Sequence, residues 1–219
     1  MVPWDQIDLV FLDMDGTLLD LAFDNYFWHE YVPVHYGRKT GVQLDEAKKL
    51  LQAKYKSKAG TLEWYCIDFW SDELGLDILQ LKGSIIDKVS VFPLVTEFLS
   101  ELHAAGKQVN LLTNAHLGGV KIKLGKARLS DRFDHIISSH SLGYAKESAP
   151  FWLALQEYLP FQPARTLLID DNVQVLTAAR EYGLDHLLSV ITPDSTRPSQ
   201  DTSDFEAIRS FADLMPIIC

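Results

Sequence analysis

Asp13 and Asp15 stand one residue apart, directly after the apolar run Ile7 to Leu12 and directly before Gly16. Side chains at i and i+2 of extended chain point the same way, so the two carboxylates can share one pocket. The branched and aromatic run predicts a buried parallel strand, and Asp13 would emerge at its carboxyl end, where open α/β sheets bind their ligands. Gly16 permits a sharp turn that brings backbone N–H groups close to an anion. Phosphate monoesters resist hydrolysis because a charged nucleophile must approach an anion. A catalyst therefore needs a positioned nucleophile, neutralising charge and a proton for the leaving oxygen. Taken alone, the stretch fits an ordinary solvated turn equally well, since Asp and Gly are common turn formers.

Three further segments follow in order: Leu111-Leu112-Thr113-Asn114, a strand ending in a hydroxyl; Lys146 within Gly143-Tyr144-Ala145-Lys146-Glu147; and Leu167-Leu168-Ile169-Asp170-Asp171, a strand ending in two acids. With Asp13 to Thr17 they resemble the four ordered motifs of the haloacid dehalogenase (HAD) superfamily of phosphatases, over almost the whole chain. The resemblance implies that Asp13 is a nucleophile forming an aspartyl-phosphate and that Asp15 is the general acid and base. It implies a Mg²⁺ ion held by Asp13, the main-chain carbonyl of Asp15 and the Asp170-Asp171 pair, of which Asp171 is favoured as the direct ligand. Thr113 and the backbone N–H of Asn114 would donate to phosphoryl oxygens, and Lys146 would pair with the phosphate and the nucleophile. To act as an acid near neutrality Asp15 needs a raised pKa. Each motif has a plainer alternative: Asp171 as the N-cap of a helix from Val173, Thr113-Asn114 as a turn, Lys146 as a solvated loop lysine.

The elements that must position these residues read as follows. Between 20 and 91 the periodicity is helical, with Leu44, Ala47, Leu51 and Tyr55 on one stripe and Leu62, Cys66, Phe69 and Trp70 on another. This predicts a helical cap over 20–91 inserted into a core of 1–19 and 92–219. Eleven of the chain's twenty-four aromatic residues fall between Phe23 and Trp70. Most are expected in the core of that cap, with one or two facing the pocket to stack on a planar substrate. Phe92-Pro93 marks the return, with a helix from Leu94 to Ala105. Strands at Val109 to Thr113, Ile136 to Ser138, Leu167 to Asp170 and Leu187 to Val190 then alternate with helices near 119–129, 150–159 and 173–182. The fold class is α/β, a doubly wound parallel sheet with a small helical cap. Thr192 to Asp204 is polar and turn-rich, which predicts a mobile loop before a short terminal helix.

The segments Asp15 to Trp28, Thr61 to Cys66, Leu111 to His116 and Ile169 to Asp171 further resemble the bacterial 5′-nucleotidases that act on GMP and IMP. On that resemblance Asp24, Asn25 and Trp28 are candidates for ribose or base contacts. His116 would lie near the mouth of the site, as a substrate contact or as a surface histidine. His135 and His140 have no zinc spacing. A sugar-phosphate phosphatase or phosphomutase, or a nucleotide-binding protein without turnover, are the alternative readings. Dehalogenation is disfavoured because expelling halide needs no proton donor such as Asp15.

At 219 residues and 47% hydrophobic content the chain can form an α/β domain with a smaller insertion. Its net charge of −10 argues against nucleic acid or an anionic membrane as partner, and the phosphorylated small molecule that the resemblance implies would need local cations, which a metal and one lysine could provide. The N-terminus lacks a basic leader, so the cytoplasm is the expected compartment. Cys66 and Cys219 are too few for a disulfide framework; Cys66 reads as a core thiol, and the terminal Cys219 is not placed for prenylation. No feature of the sequence sets an oligomeric state.

Overall fold

The computed structural model describes residues 2–218, so the expectation for Cys219 lies outside the described residues. Six parallel strands, β1 (Leu9–Leu12), β2 (Gln108–Thr113), β3 (His135–Ser138), β4 (Thr166–Asp170), β5 (His186–Val190) and β6 (Ala207–Ile208), form one sheet in the order β3-β2-β1-β4-β5-β6. The chain builds outward from β1 through β2 to β3, then crosses to β4 and builds the other way. The crevice at this reversal lies beyond the carboxyl ends of β1 and β4, the place where Asp13 and the Asp170-Asp171 pair leave the sheet.

Alternation along each strand assigns side chains to two layers. Val10, Leu12, Val109, Leu111, Leu167 and Ile169 face one core. Helices α6 (Val95–Ala104) and α7 (Leu117–Ala127) pack there through Phe98, Leu102, Val120 and Leu124. Leu9, Phe11, Leu112 and Leu168 face the other, covered by α9 (Ala149–Tyr158) and α10 (Val173–Tyr182). A one-turn helix, α8 (Ser139–Leu142), follows β3.

Between β1 and β2 the chain makes α1 (Ala22–Tyr26), a π-helical stretch Phe27–Tyr31, α2 (Val32–Thr40), α3 (Leu44–Lys58), α4 (Ile67–Leu74) and α5 (Ile78–Ser84). These enclose a core of their own, which includes Phe27, Leu51, Tyr55 and Trp70. The segment leaves and returns side by side: Leu19 bridges Val91, Asp20 N donates to Ser90 O at 2.9 Å, and Phe92 N donates to Leu18 O at 3.0 Å.

Several expectations need correction. The stripe from Leu62 to Trp70 is not one helix but a 3₁₀ turn, Leu62–Tyr65, followed by α4. Half-buried Cys66 sits at the break and caps α4 by accepting from Phe69 N, so it is not a core thiol. Pro93 does not open α6; Leu94 precedes the helix with φ +66°. The N-cap of α10 is Asn172, whose side chain accepts from Gln174 N, rather than Asp171. The stretch from Thr192 to Asp204 is bonded into the fold, because its polar groups find partners in the protein. Asp194 is buried and accepts from Asn25 Nδ2 at 2.6 Å, while Gln200 Nε2 donates to Asp171 O and Val190 O at 2.7 and 2.9 Å. β6 and a 3₁₀ turn at Phe211–Leu214 replace the expected terminal helix. Among the described residues no helix is long and apolar enough to cross a membrane.

Candidate active site

Every strand that enters the crevice delivers polar groups at its carboxyl end. Asp13 follows β1, Thr113 ends β2, and Asp170 ends β4 with Asp171 next in the chain. Gly16 turns the chain after Asp15 with φ +93°, and a Cβ there would fall 2.5 Å from Asp171 Oδ2. A glycine is required on both counts, conformation and space. One carboxylate oxygen from each of Asp13, Asp170 and Asp171 lies within 4.8 Å of the others.

Lys146 enters from the loop before α9. Its buried Nζ donates to Asp13 Oδ1 and Asp170 Oδ2, both at 2.6 Å, and to Leu112 O at 3.0 Å. Burial acts against its charge, but Asp13 and Asp170 hold its pKa above that of a free lysine. Burial likewise pushes the Asp13, Asp170 and Asp171 carboxyls upward against the pull of Lys146, with Asp170 adding to the rise at Asp13, and Asp13 and Asp170 to that at Asp171.

The same loop carries Glu147, which collects donors from three segments. Tyr65 Oη donates to its Oε1 at 2.5 Å, Asn172 Nδ2 to Oε1 at 3.3 Å, and Asn114 Nδ2 to Oε2 at 2.9 Å. Asn114 Oδ1 accepts from Lys146 N at 2.9 Å, so its side chain braces the lysine loop. Thr113 Oγ1 accepts from Ala115 N at 3.1 Å and keeps its own proton to donate.

Asp15 is tied to a second cluster that sequence reasoning missed. Lys123 Nζ, on α7, lies 2.8 Å from Asp15 Oδ2 and is also bonded to Asp24 Oδ2; Lys82 Nζ, on α5, donates to Asp24 Oδ1 at 2.5 Å. Both lysines are buried. Burial pushes the Asp15 carboxyl up to about 6, reinforced by Asp24 and opposed by Lys123. Burial works the same way on Asp24, but Lys123 and Lys82 outweigh it and hold Asp24 well below the usual carboxylate range. Nothing local marks Lys82 and Lys123, because a lysine on an amphipathic helix reads as solvated. Only the apolar neighbours in Leu81-Lys82 and Ile122-Lys123-Leu124 hint otherwise.

These groups open into a cavity of about 550 Å³, roofed by Trp28, Tyr55, Trp64, Tyr65 and Trp70. Asp24, Asn25, Trp28, Asn114 and His116 all line it. Both Asp24 oxygens are engaged by lysines and Asn25 Nδ2 by Asp194, while Lys82 Nζ lies 5.5 Å from the centre of the Trp28 ring. His116 Nδ1 accepts from Gly118 N at 3.3 Å, capping α7, and its Nε2 lies 3.5 Å from Asp68 Oδ2. Its ring stands 5.1 Å from that of His140.

Among the buried and half-buried groups lining the cavity, five carboxylates (Asp13, Asp15, Asp24, Asp170, Asp171) meet three ammonium groups (Lys82, Lys123, Lys146). The Asp13, Asp170 and Asp171 oxygens that lie together form an all-oxygen donor set, which suits a hard divalent cation. Asp170 is saturated by Lys146 and by Asn172 N at 2.9 Å, whereas the Asp171 carboxylate carries no hydrogen bond among the described residues.

The chain is 40% identical over 215 residues to the GMP/IMP nucleotidase YrfG of Escherichia coli strain K12, covering 98% of this chain and 97% of that one. A phosphoglycolate phosphatase of Nitrosospira multiformis is 28% identical over 183 residues, covering 81% and 80% of the two chains. Among solved structures, a HAD phosphatase from Thermococcus onnurineus superposes with a TM-score of 0.79 at 21% identity, over 95% of this chain and 96% of that one. L-2-haloacid dehalogenase from Xanthobacter autotrophicus, at 17% identity and TM-score 0.63 over 95% and 96%, shares the fold. Residues 7–183 match the haloacid dehalogenase-like hydrolase family, and the chain belongs to it.

Proposed function

We propose that the protein is a Mg²⁺-dependent phosphomonoesterase that hydrolyses purine nucleoside 5′-monophosphates, GMP and IMP, through an aspartyl-phosphate. The observation that carries this reading is the junction of the Asp13, Asp15 and Lys146 groups with an aromatic-walled cavity large enough for a nucleotide. The likeness to a GMP/IMP nucleotidase over nearly the full length supports it.

In the first step Asp13 attacks phosphorus in line, the P–O5′ bond breaks with its electron pair passing to oxygen, and Asp15 gives that oxygen its proton. The nucleoside leaves and Asp15 is left as a carboxylate. In the second step Asp15 takes a proton from water, the water oxygen attacks phosphorus, and cleavage of the acyl phosphate restores Asp13. Lys146 offsets charge on Asp13 and on the phosphoryl group. Thr113 Oγ1 and the backbone N–H of Asn114 orient the phosphoryl oxygens. Asp13, the main-chain carbonyl of Asp15 and Asp171 would hold Mg²⁺, with Asp170 serving as the anchor for Lys146. When bound, the ion supplies the positive charge that lets the nucleophile meet an anionic phosphate. Trp28 and its aromatic neighbours are assigned to the base, and His116 to the mouth of the cavity.

The test is phosphate release from GMP, IMP, AMP, UMP, CMP and several sugar phosphates, with Mg²⁺ or EDTA, and with Asp13→Asn as the control for contaminating phosphatase. Metal-dependent release from GMP and IMP that is lost in the variant is expected. A preference for a sugar phosphate would keep the mechanism and overturn the assignment of the aromatic wall. Nucleotide binding without release would mark a binding protein.

A further inference from the structure

Lys82, Asp24, Lys123 and Asp15 form a chain of alternating charge that runs from α5 to the turn after β1. Burying two ammonium groups is costly unless each is paired, so the pairing has to serve either the fold or the reaction. The geometry at its inner end favours the reaction. Asp15 presents its two oxygens unequally: Oδ2 is 2.8 Å from Lys123 Nζ, whereas Oδ1 is buried, lacks any hydrogen-bond partner and belongs to a residue lining the cavity. A carboxyl group turns about one bond, so fixing one oxygen aims the other. Lys123 is itself fixed. Its Nζ is bonded to Asp24, whose other oxygen accepts from Lys82, and both ammonium groups lie 5.4 Å from the centre of the Phe23 ring.

We propose that Lys123 is a positioning residue for Asp15: it holds Oδ2 so that Oδ1 faces the leaving oxygen, while Asp24 and Lys82 keep Lys123 in place. The inference rests on the reading above in one respect, the role of Asp15 as general acid and base. Asp24, Lys82 and Lys123 have no contact with the reacting atoms in this scheme. Lys82 and Asp24 belong to the helical segment and Lys123 to α7, so the acid is aimed only when the two are together.

A proton matters most to a leaving group that is unstable as an anion, which makes leaving-group dependence the discriminating readout. The experiment measures kcat/KM of the full chain with Mg²⁺ on GMP and on aryl phosphates ranging from p-nitrophenyl to phenyl, for wild type, Lys123→Met, Lys123→Arg, Asp24→Asn and Asp15→Asn. General acid catalysis is worth about 10²–10⁴-fold, so Lys123→Met is expected to lose on the order of tenfold more on phenyl phosphate than on p-nitrophenyl phosphate. Lys123→Arg should restore most of the wild-type slope, and Asp24→Asn should steepen it less than Lys123→Met does. In the Asp15→Asn background, Lys123→Met should change the slope no further.

An equal loss on every leaving group would overturn the proposal and leave Lys123 a structural residue. If Lys123→Met fails to fold, an unaltered slope in Asp24→Asn overturns it instead. A wild-type slope in Asp15→Asn would remove the acid assignment and this proposal with it. Hydrolysis of aryl phosphates but not of nucleotides would refute the nucleotidase reading alone, with the slopes still deciding the role of Lys123.

Discussion

Tyr65 Oη donates a 2.5 Å hydrogen bond to Glu147 Oε1, joining the helical segment between β1 and β2 to the loop that carries Lys146. Glu147 also receives Asn114 and Asn172, so one carboxylate links the helical roof with the loops after β2 and β4. Burial and the neighbouring Glu147 keep the Tyr65 hydroxyl protonated, as a donor must be. Tyr65→Phe should destabilise the protein by about 1–2 kcal/mol in urea unfolding, since the half-buried Glu147 loses a charge-assisted partner. If the helical segment moves as a cap on hinges near Asp20 and Val91 to Pro93, the variant should be cut faster there by protease. A phosphate analogue with Mg²⁺ should slow the cutting. Identical cleavage in all cases would refute the moving cap.

Gly16→Ala places a methyl group against the Asp171 carboxylate in a backbone conformation with φ +93°. The displaced carboxylate should raise the Mg²⁺ concentration needed for half-maximal activity by about tenfold or more, together with a loss of at least about 1 kcal/mol in stability. A Mg²⁺ titration of phosphate release checks the first, and denaturant unfolding in EDTA the second.

Lys146→Met leaves Asp13 and Asp170 buried without their cation. Breaking a buried pair costs about 3–5 kcal/mol at neutral pH. The loss should shrink as pH falls, because both carboxyls then take up protons. Activity should disappear at every pH. Thermal unfolding of the two proteins at pH 7 and pH 5 provides the comparison.

In EDTA, wild-type stability should fall as pH rises from about 4 to about 6. Asp15 is held up at about 6 in the fold against 3.8 for an ordinary Asp, so over that window the folded state binds more protons than the unfolded chain. Asp13 acts in the same sense, through burial. Asp24, held low by its lysines, adds stability above pH 4 and loses it only as pH falls below the ordinary carboxylate range. Asp15→Asn should flatten the decline, and Mg²⁺ should oppose the part due to Asp13. Urea midpoints across this range read the effect.

Trp28→Ala removes a ring from the cavity wall. Stacking of a base on an aromatic side chain is worth about 1–3 kcal/mol, so kcat/KM for GMP should fall by roughly tenfold or more. Acetyl phosphate, which has no ring, should be far less affected. A loss shared equally by both compounds would remove Trp28 from base recognition.

The catalytic strands were legible because each is an apolar run ending in a polar residue, a pattern set by the sheet itself. Asp13, Thr113 and Asp170 could thus be found in order, whereas Lys146, in the loop before α9, was marked only by its place in the motif order; the four converge in the fold. Lys82 and Lys123 were not legible, since their burial depends on Asp24, which lies 58 and 99 residues away in sequence. The segment from Thr192 departs from its composition for a related reason. Its polar residues imply exposure, yet Asp194 is buried by bonding to Asn25, 169 residues earlier. Local composition reports what a segment needs, while the partner that meets the need is set by topology.

The position of β1 in the middle of the sheet has a consequence for biosynthesis. This strand is made first, yet both its neighbours, β2 and β4, are translated much later, β4 after residue 165. Non-local parallel pairing is slow and leaves apolar edges exposed while it waits. The helical segment, whose contacts are closer in sequence, can condense on the ribosome well before the hydrolytic centre exists. A nascent chain stalled before β4 would therefore carry the roof of the pocket and half of its floor, with Asp13 solvated and inert. It would be a client for chaperones and incapable of turning over a phosphoester.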